Sequence, residues 1–122
     1  MGTVVVVFSG EYDLGCKTEF TRQLRRLASE PNVVLDLSDV TYMDSWCVSE
    51  MLSWHRRRAD KGFERETIIV RTPLMRRLFS ILELERFFTI VPSWDAALAG
   101  GSAHIEYAFG GAKPERFELA QS

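Results

Sequence analysis

The residues of this chain best placed to do chemistry gather at one turn, Met43-Asp44-Ser45, between a valine-rich run and a helical stretch that ends in arginines. The first turn of a helix leaves backbone N–H groups unpaired and carries partial positive charge. A serine there suits two roles that do not exclude each other, a hydroxyl cap or a bound or covalent phosphate. A phosphoserine would bring about −1.5 to −2 charges and three acceptor oxygens. The neighbouring Asp44, with Asp13 and Asp36 at strand ends, would repel it. Aspartate at a strand-to-loop junction also binds local backbone amides, and that is the favoured reading for Asp36, with Asp13 open.

Other reactive residue types point to less. Cys16 and Cys47 have no paired spacing, and His55 and His104 no metal-ligand spacing, so a disulfide framework, a zinc site and any other metal are not expected. A helix N-terminus lowers a thiol pKa, yet an isolated cysteine such as Cys47 is more often buried and inert. His55-Arg56-Arg57-Arg58 reads as a solvated helix end rather than a nucleic-acid or headgroup site. No glycine-rich phosphate loop, nucleophile elbow or paired catalytic carboxylates occur, which argues against an enzyme and against a cofactor.

The elements that must position the turn follow from the 122-residue chain, 46% hydrophobic and 26% charged, which suits one domain with a core of its own. A net charge of −2 gives no general attraction to nucleic acid. The longest apolar run, Val4 to Phe8, is far below the roughly 20 residues of a membrane span. Thr3 to Ser9 reads as a buried strand, with Gly10-Glu11-Tyr12-Asp13 as its break. Leu14, Thr18, Thr21, Leu24, Leu27 and Ala28 then recur at helical spacing up to Pro31. Val33 to Leu37 is a second strand and Ser38 to Asp44 a compact connection. The helix from about Ser45 to Asp60 presents Val48, Met51, Leu52 and His55 on one stripe. Glu66 to Arg71 is a third strand, Pro73 opens a helix to about Leu82, Phe87 to Val91 is a fourth strand, and Ser93 caps a short helix. Such alternation predicts an α/β domain whose later strands run parallel. Beyond Ser102, Ile105, Tyr107 and Phe109 alternate with His104, Glu106 and Ala108, which suits one edge strand before a polar tail.

Several of these pieces, in this order, resemble the STAS domain of bacterial anti-sigma factor antagonists. They are the valine-rich strand into Gly10-Glu11-Tyr12-Asp13, the run Val33-Val34-Leu35-Asp36-Leu37-Ser38-Asp39-Val40-Thr41-Tyr42-Met43-Asp44-Ser45, the helix closing at Gly62, and Thr72-Pro73-Leu74-Met75-Arg76-Arg77-Leu78-Phe79. The resemblance implies a single STAS-like domain over residues 1–100, a small mixed or mostly parallel sheet of about four to five strands flanked by about four helices. Residues 101–122 then form a C-terminal extension, placed to cover the edge left by the family's missing first strand. By position Ser45 is the phosphoacceptor, and Asp13, Asp44, Ser45, Trp46, Val48 and Ser49 are the partner-binding residues.

The implied partners are an ATPase-fold anti-sigma factor that is also a serine kinase, and a phosphatase, in the cytoplasm, with no direct nucleic-acid contact and with homodimerisation left open. The chain departs from the family at Ser45-Trp46-Cys47, where the serine is usually followed by a second small hydroxyl residue and glycine. Trp46 then either anchors a partner or folds back onto Trp54 or the sheet. Two alternatives stay open: a constitutive scaffold subunit of a larger signalling complex, and a lipid- or small-molecule-handling accessory domain of a transporter.

Overall fold

A computed structural model describes residues 2–110. Within them, β1 (Thr3–Tyr12), β2 (Val33–Met43), β3 (Thr67–Ile69), β4 (Thr89–Val91) and β5 (Ala103–Phe109) form one sheet in the order β4-β3-β2-β1-β5. Every neighbouring pair is parallel. The crossovers carry α1 (Lys17–Arg26), α2 (Ser45–Asp60), α3 (Pro73–Ile81) and α4 (Trp94–Leu98). No helix among the described residues is long and apolar enough to cross a membrane.

Strand alternation sends side chains to two unequal cores. Val6, Phe8, Leu35, Leu37 and Ile68 join Phe20, Leu24, Met51, Trp54 and Phe79 from the helices in the larger one. Val5, Val7, Val34 and Ile69 make the smaller one, packed against Trp94, Ala97 and Leu98 of α4. Asp36 faces this smaller side and is buried. Its carboxyl oxygens accept hydrogen bonds from the Ser38 amide (2.9 Å) and the Trp94 indole N–H (2.5 Å). Local amide binding was expected for Asp36, but the contact that pins α4 to the sheet was not. The aspartate is therefore not among the charges around Ser45.

Several boundaries differ from the sequence expectation, and β3 and β4 are each only three residues long where Glu66 to Arg71 and Phe87 to Val91 were expected. β1 does not break at Gly10: the glycine takes φ +94° within the strand, and the ladder shifts register between Val7 and Ser9 and between Gly10 and Glu11. Of the expected connection Ser38 to Asp44, all but Asp44 is strand as well, because those shifts let Ser9, Gly10, Glu11 and Tyr12 pair with Asp39, Val40, Tyr42 and Met43. The first helix begins only at Lys17 and ends before Pro31; Leu14 lies in a 3-10 turn (Leu14–Cys16) and is exposed, while Phe20 takes the central core position. β5 lies parallel to β1 and shares its sheet. The polar tail expected after it falls outside the described residues.

Arg58 overturns the expectation of a solvated arginine cluster. Arg56 and Arg57 are exposed, but Arg58 is only 1% exposed. It donates from Nε to Glu66 (2.6 Å) and from Nη1 to the carbonyls of Leu27 (2.8 Å) and Glu30 (2.6 Å). Its guanidinium also lies over the Trp54 and Phe63 rings. His55 Nδ1 meets the other Glu66 oxygen at 2.7 Å. Removing one member of a buried ion pair leaves an uncompensated charge and costs about 3–5 kcal/mol. Glu66→Ala is accordingly expected to lower the unfolding free energy by that amount, read as a lower urea midpoint at unchanged slope, whereas Arg57→Ala, at the exposed neighbouring position, changes it by no more than about 0.5 kcal/mol.

Candidate functional site at the start of the second helix

The site is assembled where β1 and β2 end together. Tyr12 pairs with Met43, so Asp13 and Asp44 are the next residues beyond the paired ends of neighbouring strands. The Asp44 amide donates to the Tyr12 carbonyl at 3.1 Å, which ties the start of α2 to the end of β1. Asp44 is extended (φ −83°, ψ 170°), and its Oδ1 accepts from the Cys47 amide at 3.2 Å. Asp44 is thus the N-cap, and Ser45 is the first helical residue. The serine was a candidate cap by residue type; the aspartate already fills that role one position earlier. Ser45 is exposed at the helix N-terminus, and among the described residues its hydroxyl is not engaged in capping.

The remaining predicted site residues divide. Ser49, one turn on, is exposed on α2. Val48 is not: at 6% exposure it belongs to the large core, since the stripe that meets the sheet runs through Cys47, Val48, Met51 and Trp54. Its side chain therefore belongs to the packing of α2 on the sheet rather than to the exposed surface beside Ser45. Asp13 is exposed, and its Oδ1 accepts from the Gly15 amide at 2.9 Å, capping the 3-10 turn. Trp46 is half-buried and packs against the large core. Its ring meets the Phe20 ring edge-on at 6.5 Å, with the Lys17 ammonium 5.2 Å from its centroid. The bulky indole therefore joins α2 to α1 beside the serine.

Cys47 is fully buried, its Sγ 3.5 Å from the Tyr12 carbonyl oxygen. Burial, reinforced by the nearby Asp44 charge, pushes its thiol up to about 12, so desolvation outweighs the helix N-terminus. Tyr12, packed between Phe8 and Phe20, is pushed upward too, chiefly by burial.

Sequence reasoning missed the apolar rim around this end of the sheet. Leu14 (67% exposed), Tyr42 (50%) and Leu74 (70%) project from the segments that follow or close β1, β2 and β3. An open groove of about 570 Å³ runs between Ser38 to Thr41 of β2 and Thr72 to Met75 at the start of α3. Loops at the carboxyl ends of parallel strands are where α/β domains commonly bind their partners. The signal for Leu14 was hidden because it fits the helical spacing of α1, and that for Tyr42 because polar neighbours mask the end of β2. Among the described residues no cluster of three His, Cys, Asp or Glu is arranged to hold a metal.

Two measurements follow from this geometry. Asp44→Ala should cost about 1 kcal/mol through loss of the cap, whereas Ser45→Ala should stay within about 0.5 kcal/mol, both by chemical denaturation. A group kept protonated in the fold but free to ionise when unfolded makes stability fall as pH rises above its unfolded value. Stability should therefore decline from about pH 9 upward as unfolded Cys47, and above it unfolded Tyr12, ionise. Cys47→Ala should flatten the first part of that decline, and a thiol reagent at neutral pH should leave Cys47 unlabelled until the chain unfolds.

The STAS family model described as "Mlab, STAS domain" matches residues 2–92. No curated protein sequence matches the chain significantly. Among solved structures, an anti-sigma factor antagonist from Mycobacterium paratuberculosis is similar at 22% identity and TM-score 0.64, over 79% of this chain and 85% of that one. The Bacillus cell fate determinant SpoIIAA in its phosphorylated form is similar at 20% identity and TM-score 0.58, over 77% and 86%. A putative anti-sigma factor antagonist from Thermotoga maritima is similar at 15% identity and TM-score 0.57, over 93% and 87%. These likenesses are ones of fold; the family match, which spans most of the sheet and its helices, places the chain in the STAS domain family.

Proposed function

We propose that this domain is a regulatory protein–protein interaction module of the anti-sigma factor antagonist kind. It docks an ATPase-fold anti-sigma serine kinase through the start of α2 and is switched by phosphorylation of Ser45. The observation that carries this reading is the division of labour at the turn: Asp44 caps the helix, which leaves the Ser45 hydroxyl exposed at its first position. The family match and the likeness to a phosphorylated SpoIIAA support it.

In this reading the unmodified surface is nearly neutral in its middle, with Ser45 and Ser49 on α2 and the apolar side chains of Leu14, Tyr42 and Leu74 around the rim. Asp13 and Asp44 make its charged border, and the exposed part of Trp46 its shoulder toward α1. Phosphate added at Ser45 is tolerated locally by the helix N-terminus, so the fold has no need to change. Its charge adds to that of Asp13 and Asp44 and repels a partner that accepted the neutral surface. A phosphatase resets the switch. The domain is the substrate and ligand in these steps, without a catalytic group of its own, and its place is the cytoplasm, where such partners work.

A second reading, a constitutive scaffold subunit, is favoured by Trp46 and Cys47. Both are built into the packing where the family has small residues, so the surface is rigid and partly filled. One experiment separates the two. Incubated with an anti-sigma serine kinase, ATP and magnesium, the wild-type chain should gain one phosphate by intact mass and Ser45→Ala none. Ser45→Asp should weaken the complex with that kinase at least tenfold, about 1.4 kcal/mol. Absence of phosphate uptake, with the complex retained by Ser45→Asp, would establish the scaffold instead.

A further inference from the structure

The two edges of the sheet differ. β4 is three residues long, whereas β5 runs seven residues, Ala103–Phe109, with no proline, lysine or bulge along it. Exposed strands of that length are normally blunted by such features, because their unpaired backbone groups invite another strand. The ladder to β1 decides which groups are unpaired. The Thr3 amide donates to the Ser102 carbonyl and the Gly110 amide to the Ser9 carbonyl, so the even-numbered residues from Ser102 to Gly110 turn their backbone groups toward β1. Ala103, Ile105 and Tyr107 turn theirs outward, and among the described residues their amides have no backbone partner.

We propose that this edge binds a second copy of itself, β5 to β5 and antiparallel, about a two-fold axis at Ile105. The proposal is independent of the role given to Ser45. An antiparallel pair centred on Ile105 makes it a hydrogen-bonded pair with its own copy and brings Ala103 opposite Tyr107 twice. All three residues have the required outward N–H and C=O groups. The side chains select this register over its neighbours. It sets His104 opposite Glu106 on both sides of the axis, an imidazole against a carboxylate. Centring on Glu106 would put two carboxylates face to face, and centring on His104 two imidazoles. On the other face, Ile105 (39% exposed) meets Ile105, and the large Tyr107 (65% exposed) covers the small Ala103. Within one chain Glu106 pairs with the guanidinium of Arg26 of α1, which keeps its carboxyl below the usual range, and with His104 Nε2 at 3.0 Å, so the dimer shares this imidazole–carboxylate contact across the axis. The result is a continuous ten-stranded sheet with both Ser45 sites free.

Sedimentation of the full chain between about 1 and 100 μM should show reversible association to twice the 14.0 kDa chain mass. In the dimer, amide hydrogen exchange should protect Ile105 and Tyr107 as strongly as His104 and Glu106. Ile105→Pro removes an outward donor while sparing the β1 ladder, and should weaken the dimer at least tenfold with thermal unfolding still cooperative. His104→Glu and Glu106→Lys should each weaken self-association, while a mixture of the two should form heterodimers, because every cross-strand pair is then complementary. A monomer throughout this range overturns the proposal, whether the edge is then covered by residues 111–122 or by another protein. So does a dimer in which Ile105 and Tyr107 exchange freely, or a mixture that associates no better than either variant alone.

Discussion

The hydrogen bond from the Asp44 amide to the Tyr12 carbonyl is the constraint on which the rest of the site depends. It exists because β1 and β2 run parallel and end level, and they end level because of the two register shifts beside Ser9 and Gly10, at each of which β2 carries one residue more than β1. With the end of β1 fixed beside it, Asp44 stays extended and its side chain turns to the Cys47 amide. The cap then drops Cys47 into the core and leaves Ser45 outside. A one-residue slip of β2 along β1 would exchange the inward and outward side chains of the strand that slips.

The far end of α2 is held as firmly, by different chemistry. Arg58 joins Glu66, ahead of β3, to the carbonyls that close α1 and lead into β2, so one buried guanidinium ties three segments together. Buried ion pairs are seldom a net source of stability compared with apolar packing, but they tolerate few alternative arrangements. Near the other end, the Phe20–Trp46 contact sets α1 against α2. The helix that carries Ser45 is thus fixed near both ends.

Asymmetry of the sheet has a further consequence. Three helices pack with the large core, while the small core is roofed by the five residues of α4 and the Asp36–Trp94 bond. β5 extends that lightly covered face past the roof, which is why Ile105 and Tyr107 stand exposed in a sheet whose central strands are buried.

How much of this was legible in the chain follows from the range of the forces involved. Local rules carried the alternation of strands and helices, the bounds of α2, the proline-led start of α3, the Ser93 cap of α4, and the period-two pattern of β5. Helix termini and apolar periodicity depend on residues only a few positions apart. Family resemblance rested on the same local pieces. What the sequence could not decide were the matters set by distant neighbours. Arg58 looks like Arg56 and Arg57 until Glu66 and the carbonyls of Leu27 and Glu30 are folded around it. Val48 looks available beside Ser45 until the turn of α2 faces the sheet. The polar run Ser38 to Met43 looks like a loop until β1 pairs with it, and Trp46 looks like a free anchor until Phe20 and Lys17 meet it from another helix. Residue type and spacing determined that a serine would stand at the start of a helix after a parallel strand. Only tertiary structure decided that the aspartate before it would be the cap, because that requires the end of β1 to hold Asp44 in place.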